Sequence, residues 1–410
     1  MVATVGCGCQ FWYDLQNIQM ANKNPTSTLA GLSRQAALVR RRQSVVFGAA
    51  LLGLAAIGVG ADFGIRSIWP RSLGMGGRLT SPRNVLVVGL DRSGKISAGN
   101  LFVVAHLDPR GDRVTLLSLP ARTQTTIVGY GVSSLAQAPA LGGLRLAKQA
   151  AQELIGAPVD AAIALPPAAE AALVDAVGGL EVFVPTARGV GGTAGKQELM
   201  IPAGDQHMDG TMAAAYASAP PDGTGDLGRV TRQQFLIWAL ARQIGDRGTR
   251  IAAVTHVLDR AATGDVQPSA LSALSGFLAS HPDLEFATLP GDAGFDGAWI
   301  PNPLRISALM KKIARVGPAR TSSAPLAEIL FDPLKDKQAS KLANELEDSG
   351  MTVVRTAPLR HQQPTSIVSR RGNRKLDGAV RALLPGAPWF LSDDPSPYSA
   401  DYTFTIGSSW

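Results

Sequence analysis

The sequence predicts an α/β layer fold that follows one membrane-spanning helix and precedes a second, smaller α/β unit. Three observations lead to this expectation. Short β-branched runs alternate with segments of helical spacing between residues 84 and 315, which is the pattern of a sheet covered by helices. One uninterrupted run of apolar and glycine residues occupies 45–61, and the strand–helix alternation returns on a smaller scale after residue 325.

The apolar run is predicted to be a retained transmembrane helix over residues 45–62. It is slightly shorter than the roughly 20 residues that a bilayer span needs, so a signal-peptide core or a buried helix is the alternative. It starts far into the chain, however, and no clean small-residue cleavage pattern follows it. Arg40, Arg41 and Arg42 precede the run, and positively charged flanks stay on the cytoplasmic side. We therefore expect a single-pass cell-membrane protein with residues 1–44 in the cytoplasm and the main domains outside.

Composition indicates a globular body that is stabilised by its core. The chain is 45% apolar, with a formal net charge of +7. Both cysteines, Cys7 and Cys9, fall in the predicted cytoplasmic tail, so the exported part has no disulfide framework. Residues 1–19 show no pattern of a structured element, and Met20 is an alternative start.

The main domain is predicted over residues 81–316, after a linker at 63–80 that is rich in Gly, Pro and Arg. Its strands are short apolar, β-branched runs bounded by turn residues, at 84–90, 101–107, 113–119, 160–165 and 180–184. Its helices have apolar residues at helical spacing, at 144–155, 168–177, 229–244, 249–262, 268–280 and 303–315.

A smaller α/β domain is predicted over residues 326–410. The segment 317–325, GPARTSSAP, has the composition of a linker and precedes it. Strands and helices alternate in the order strand, helix, strand, helix and strand, at 327–331, 335–349, 352–355, 376–384 and 402–406.

Two arginines stand at the start of the predicted helix 229–244, where helix physics disfavours cations. Asp226 is expected to cap this helix, which puts Arg229 and Arg232 near its first turn and, three residues apart, on one face. The helix dipole disfavours each cation there by roughly 0.3–1 kcal/mol when exposed, whereas free backbone N–H groups attract anions. The pair is interpreted either as an anion site or as a solvated cluster paired with Asp226.

Residues 89–95 resemble a nucleotide-binding loop but lack features that such a loop requires. The segment is one residue shorter than the G-x-x-x-x-G-K pattern, and Ile96 follows where a hydroxyl would hold magnesium. Too few residues remain before the strand at 101–107 for the helix that such a loop needs. These features argue against an ATPase.

Seven blocks of the chain, in order and spacing, resemble the LytR-CpsA-Psr (LCP) family of membrane-anchored bacterial envelope proteins. They are NVLVVGLD, LFVVAHLDP, VTLLSLPAR, ELIGAPVD, LVDAVGGLEVFVP, IPAGDQHMDGTMAAAYA and GDLGRVTRQQ. The resemblance implies a three-layer α-β-α domain with a mixed sheet. Residues 326–410 resemble the LytR C-terminal domain that often follows this fold.

The resemblance also implies a phosphotransferase at the outer surface of the cytoplasmic membrane. Such proteins move an anionic glycopolymer from a polyprenyl pyrophosphate carrier to a peptidoglycan hydroxyl. The chemistry needs arginines, and usually Mg²⁺ held by aspartates, around the pyrophosphate, and an aspartate can take the proton of the hydroxyl. The implied partners are the polyprenyl (pyro)phosphate carrier, peptidoglycan or an anionic wall polymer, and the membrane.

The residues that match the family's site lie in two clusters. One follows the first strand, and the other begins the helix 229–244. Arg122 is displaced by one residue from a family arginine, and two further cations in the first loop can add charge. The resemblance thus implies catalytic roles for Asp91, Arg229 and Arg122, pyrophosphate binding by Arg232, Gln233, Arg92 and Lys95, and Mg²⁺ binding by Asp91 and Asn100.

The chain departs from the family at several charged positions. Asn100 replaces the second aspartate, and an amide cannot take a proton. Ala98, Ala121, Ser218 and Pro220 stand where the family has arginines. Removing one preorganised charge costs on the order of 10²–10³ in rate. Two interpretations stay open: a divergent transferase with relocated catalytic groups, or a non-catalytic member that binds polyprenyl phosphate or wall polymer.

No nucleic-acid partner is expected. The sequence lacks a helix-turn-helix pattern, and the membrane would separate the exported part from DNA. The stretch 355–375 holds six Lys or Arg and no acidic residue. On the outer side of a membrane it favours an anionic wall polymer as partner, with a solvated basic loop as the alternative.

Overall fold

A computed structural model describes residues 83–91, 97–108, 113–190, 199–219, 225–244, 250, 253–254, 256–257, 263–264, 283–294, 296–314, 324–371 and 374–408. The predicted tail, transmembrane helix and first linker lie outside these residues, as do the helix predicted at 268–280 and most of 249–262 and 317–325. Within the described ranges, no helix is long and apolar enough to cross a membrane.

The described residues form a mixed set of strands and helices. The strands are β1 (Arg83–Leu90), β2 (Gly99–Asp108), β3 (Arg113–Ser118), β4 (Gln124–Ile127), β5 (Gly131–Ser134), β6 (Ala161–Leu165), β7 (Leu180–Val184), β8 (Arg188–Val190), β9 (Leu199–Ile201), β10 (Gly204–Met208), β11 (Thr263–Gly264), β12 (Asp283–Thr288), β13 (Gly291–Ala293), β14 (Trp299–Pro301), β15 (Leu326–Phe331), β16 (Thr352–Pro358), β17 (Ser366–Ser369), β18 (Trp389–Leu391) and β19 (Tyr402–Ile406). The α-helices are α1 (Ala138–Ile155), α2 (Pro167–Ala176), α3 (Gly210–Ser218), α4 (Asp226–Ile244), α5 (Pro303–Ala314), α6 (Asp336–Asp348) and α7 (Arg374–Arg381).

One 11-stranded mixed sheet forms the middle layer, in the order β11-β6-β1-β2-β3-β12-β18-β17-β19-β15-β16. β1 is antiparallel to β2 and parallel to β6. Its side chains alternate between two cores, with Val85 and Val87 on one face and Leu86 and Val88 on the other. Because both faces are covered, the strand is a continuous apolar run, which made it predictable from the sequence.

Helices cover both faces of the sheet, which confirms the predicted mixed α/β architecture. On one face, α2, α3 and α4 pack through residues such as Leu173, Ala213 and Leu236. On the other face, α1 and α5 pack through Leu146 and Leu309. The first three predicted strands and the helix predicted at 303–315 agree with the structure to within about two residues.

The C-terminal part of the chain continues the same sheet. β18 lies parallel to β12, with Phe390 opposite Phe286, so β15 to β19 extend the middle layer beyond β12. The predicted C-terminal strands and helices are present, with β17 and β18 in addition. The domain boundaries 81–316 and 326–410 stay predictions, since strand pairing joins the two parts.

A buried charge cluster lies beside this junction. Glu285 of β12 is enclosed, and its Oε1 lies 3.0 Å from Nη2 of Arg381 and 3.7 Å from Nη1 of Arg113. Burial raises the pKa of Glu285, and the two arginines oppose this shift. Because Arg381 belongs to α7 and Arg113 to β3, the cluster ties the C-terminal part to the main sheet.

Several described strands were not predicted from the sequence, among them β12 and β10. β12 was not predicted, because Asp283 and Glu285 interrupt its apolar pattern and its charges are compensated by residues far away in the chain. The segment around His207, where no strand was predicted, is strand β10, antiparallel to β7. There Nδ1 of His207 lies 2.7 Å from Oε1 of Glu181 on the paired strand.

Candidate functional site

An apolar pocket of about 150 Å³ lies between the sheet and helices α2, α3 and α4. Apart from Glu170 and Gln233, the side chains that line it are apolar; they include Val87, Leu101, Leu116, Leu165, Leu173 and Leu236. Such a lining suits an apolar chain, with the two polar groups available to orient a polar end.

Glu170 enters this pocket from the first turn of α2. A Cβ atom on Gly89, in the neighbouring strand β1, would overlap Oε1 of Glu170. The missing side chain at Gly89 therefore makes room for the carboxyl group. The same Cβ would lie 3.0 Å from Oδ1 of Asn100, so Glu170 and Asn100 meet over the end of β1.

Among the described residues, the carboxyl group of Glu170 has no charge partner. Its Oε1 is buried and lacks a hydrogen-bond partner among the described residues. Burial raises the pKa of Glu170 from 4.5 to about 8, because desolvation disfavours the anion and no cation offsets that cost. At neutral pH the protonated form is therefore favoured unless a cation binds the carboxyl group.

Asn100 faces the same point from β2. Its Nδ2 donates to Oγ of Ser218 at 3.3 Å, while its Oδ1 is buried without a partner in the described part of the chain. Its backbone carbonyl accepts a hydrogen bond from Nε2 of Gln233 at 3.1 Å. Gln233 thus fixes α4 against β2 beside the pocket.

Arg229 and Asp226 form an ion pair at the start of α4. Asp226 is the first residue of the helix, and its carboxylate also accepts the backbone N–H of Arg122 at 3.0 Å. The pairing with Asp226 that the sequence suggested is therefore present for Arg229, but the pair is largely buried and not solvated, with side-chain exposures of 15% for Arg229 and 2% for Asp226. However, Nε of Arg229 is buried without an acceptor among the described residues, so one N–H of the guanidinium is left for an anion. Arg229 precedes Gln233 by one helical turn, so the two residues share one face of α4, and Gln233 lines the pocket.

Arg232 differs from Arg229 in its environment. It is 7% exposed, and its Nε and Nη2 donate to the carbonyls of Tyr216 at 3.1 Å and Ala219 at 2.7 Å. These bonds satisfy carbonyl groups at the C-terminal end of α3. Arg232 thus holds α3 against α4, and its assignment to the pyrophosphate stays a prediction.

Asp91 and Arg122 follow β1 and β3, respectively. Asp91 is exposed, and its Oδ1 accepts a hydrogen bond from Oγ of Ser97 at 2.8 Å. The guanidinium of Arg122 donates through Nη2 to the carbonyl of Asp296 at 2.5 Å. The backbone of Arg122 is thus close to the Arg229 pair, while its side chain contacts the loop between β13 and β14. The predicted loop cations Arg92 and Lys95 lie outside the described residues.

The donors for a metal ion are few. The described residues contain no group of three or more His, Cys, Asp or Glu that could hold one. Two oxygen atoms near one another, Oδ1 of Asn100 and Oε1 of Glu170, are nevertheless buried without a partner among the described residues. Such oxygens suit Mg²⁺. The Mg²⁺ site at Asp91 and Asn100 stays a prediction.

Glu170 was missed in the sequence. Its only local signal is an acidic residue in the alanine-rich segment PAAEAALVDA. An acidic residue in the first turn of a helix is ordinary, because it interacts favourably with the helix dipole. Its burial depends on β1, β2 and α3, which no local pattern describes.

The fold and its pocket place the chain in a known class of proteins. A model of the LytR_cpsA_psr family matches residues 72–314, and the chain belongs to this family. The polyisoprenyl-teichoic acid–peptidoglycan teichoic acid transferase TagU of Halalkalibacterium halodurans is 26% identical over 243 residues, 57% of this chain and 77% of that protein. The probable cell wall biosynthesis protein LcpB of Corynebacterium glutamicum is 33% identical over 168 residues, 39% of this chain and 38% of that protein.

A solved structure has the same fold. The crystal structure of protein gbs0355 from Streptococcus agalactiae superposes with a TM-score of 0.51 at 19% identity. The match covers 59% of this chain and 91% of that one. At this identity the likeness concerns the fold alone.

Proposed function

We propose that the chain is a membrane-anchored cell-envelope phosphotransferase, which moves a glycopolymer from a polyprenyl pyrophosphate carrier to peptidoglycan. The observation that carries the proposal is an apolar pocket lined by Gln233, one helical turn along α4 from Arg229, whose buried Nε–H has no acceptor among the described residues. A lipid phosphate has the matching chemistry, an apolar chain joined to an anion. The names of the relatives, a teichoic acid transferase and a cell wall biosynthesis protein, support the same class of substrate.

The polyprenyl chain is assigned to the pocket under α2, α3 and α4. Its pyrophosphate is assigned to Arg229, with Gln233 one turn further along the helix as a hydrogen-bond donor. Charge-assisted hydrogen bonds to phosphate are among the stronger polar contacts in proteins. Arg122, Arg232, Arg92 and Lys95 remain candidates for additional charge around the same group.

In the proposed reaction, a peptidoglycan hydroxyl attacks the phosphorus that carries the glycopolymer. A new O–P bond forms, the P–O bond to the lipid phosphate breaks, and the lipid phosphate leaves with the bonding electrons. Asp91, exposed at the end of β1, is assigned to accept the proton of the hydroxyl. Arg229 offsets the negative charge that develops on the bridging and terminal oxygens. A bound Mg²⁺ ion would supply further charge neutralisation, with Asp91, Asn100 and Glu170 as the available oxygen ligands.

A binding experiment tests the lipid site. The full chain in detergent micelles is titrated with a polyprenyl phosphate, and the wild type is compared with Arg229→Ala. Loss of a charged hydrogen bond is worth about 1.5–3 kcal/mol, so we expect affinity to fall by about tenfold to a hundredfold. Arg145→Ala serves as the control, because Arg145 is exposed on α1, on the opposite face of the sheet. Equal binding by the wild type and Arg229→Ala would remove Arg229 from the site.

A transfer experiment separates the enzyme from a non-catalytic binder. Labelled glycopolymer on a polyprenyl pyrophosphate is supplied with peptidoglycan fragments and Mg²⁺, and label in the peptidoglycan is counted. We expect transfer by the wild type and loss of transfer in Asp91→Asn. Lipid binding without any transfer would establish the binder instead, and transfer by Asp91→Asn would show that another group takes the proton.

A further inference from the structure

Two buried carboxyl and amide oxygen atoms lie close to Gly89 without a hydrogen-bond donor among the described residues. Oε1 of Glu170 and Oδ1 of Asn100 are both enclosed, and neither has a hydrogen-bond partner among the described residues. A single Cβ on Gly89 would touch both of them. Buried acceptors in native proteins are nearly always satisfied, and an exception calls for a proton, a water molecule or an ion.

The position of Glu170 is unusual in a second respect. Among the described residues that line the apolar pocket, Glu170 alone has an ionisable side chain, and its carboxyl Oε1 receives no hydrogen bond or ion pair from them. Burial of an unpaired carboxyl group costs stability unless a ligand uses it. Such groups therefore mark functional sites more often than structural ones.

The described groups around the carboxyl of Glu170 carry no positive charge that could compensate it, which favours a cation as the ligand. The elements packed around the carboxyl group present Gly89 of β1, Asn100 and Leu101 of β2, and Gln233 of α4. None of these carries a positive charge. Mg²⁺ is commonly held by one or two carboxylate or amide oxygens, several water molecules and the phosphate oxygens of a substrate. A carboxylate and an amide oxygen beside a pocket for a lipid phosphate match this arrangement.

We propose that Glu170 and Asn100 form the protein's half of a divalent-cation site, completed by the phosphate of the bound lipid. Glu170 supplies the carboxylate that position 100 lacks, and it does so from α2 instead of β2. The identity of the remaining ligands rests on the proposed function, whereas the protein's two oxygens do not. Asp91 lies two residues beyond Gly89 and can add a ligand from the end of β1.

Cation binding is measured directly, without any assay of transfer. The full chain in detergent is titrated with Mn²⁺, and free Mn²⁺ is counted by electron paramagnetic resonance, with and without a polyprenyl phosphate. We expect Glu170→Gln to bind Mn²⁺ at least about tenfold more weakly than the wild type. Glu153→Gln is the matched control, because Glu153 is exposed on α1, and it should bind like the wild type. Asn100→Asp restores a second carboxylate and should bind Mn²⁺ more tightly.

The outcomes separate this inference from the proposed function. Equal Mn²⁺ binding by the wild type and Glu170→Gln would overturn the cation site, and so would the absence of Mn²⁺ binding in both arms. An amide of Asn100 turned to donate to Glu170 would satisfy both residues without an ion, and it predicts this negative result. If the wild type binds Mn²⁺ through Glu170 but no polyprenyl phosphate, the cation site stands and the lipid site fails.

Discussion

Replacing Glu170 by Gln is expected to change how the stability of the protein depends on pH. In the unfolded chain the group titrates near its usual pKa of 4.5, whereas burial raises its pKa in the folded protein to about 8. Between these two values the folded state holds a proton that the unfolded state has lost. Stability therefore falls as pH rises from 4.5 to 8, and it is unaffected by this group below that range.

The size of the effect follows from the two pKa values. Each pH unit within the range removes about 1.4 kcal/mol of stability. Between pH 5 and pH 7.5 the wild type should thus lose about 3 kcal/mol that a glutamine at position 170 does not lose. The stability difference between Glu170→Gln and the wild type should grow by that amount across the interval.

Denaturant unfolding of the full chain in detergent measures this difference. Unfolding is followed at several pH values from 5 to 8, with a chelator present so that no cation holds the carboxylate. The exposed Glu153→Gln variant should follow the wild type at every pH. Parallel curves for the wild type and Glu170→Gln would refute the reasoning, because they would mean that Glu170 is solvated or paired. Excess Mg²⁺ should reduce the difference if the cation site exists.

Two further changes probe the pocket and the junction. Ala217→Trp places a large side chain in the pocket lining and should abolish binding of a polyprenyl phosphate in the same titration. Thr211→Trp, at an exposed position of the same helix, should leave that binding unchanged. Arg381→Met leaves Glu285 buried without its nearest cation and should lower the free energy of unfolding by about 3 kcal/mol. Lys341→Met breaks only an exposed pair with Glu345 and should cost less than about 0.5 kcal/mol; similar losses in the two variants would show that the cluster does not stabilise the junction.

The parts of the fold that the sequence predicted are those whose burial is visible locally. β1, β2 and β3 are apolar on both faces, so their runs of Val, Leu and Ala identify them without knowledge of their partners. β12 shows the limit of this reasoning. Its Asp283 and Glu285 resemble solvent-facing residues. The cation that pairs with Glu285 in the core is Arg381, which lies about a hundred residues further along the chain.

The candidate site likewise has one part that local sequence spacing predicts and another part that depends on contacts formed only in the folded chain. Arg229, Asp226 and Gln233 belong to one helix start, so their spacing alone placed them together. In the structure Arg229 pairs with Asp226, and Gln233 donates to the backbone carbonyl of Asn100. The different environments of Arg229 and Arg232 were not predictable. Arg232 bonds to carbonyls of α3, and that helix is brought to α4 only by the folded core.

The neighbouring Glu170 changes the interpretation of the amide at position 100. Taken alone, an amide at the position of a family aspartate indicates a site that has lost its charge, which favours a non-catalytic binder. The folded chain brings a carboxyl group from α2 to the same point over Gly89, and the glycine leaves the space that this carboxyl needs. If the site had merely lost its function at position 100, nothing would favour a new acid, Glu170, in the apolar pocket, because an unpaired carboxyl group there costs stability. The arrangement therefore favours the proposed transferase with a relocated acidic group. The Mn²⁺ titration of Glu170→Gln and Asn100→Asp tests whether that group binds a cation, and the transfer experiment decides between enzyme and binder.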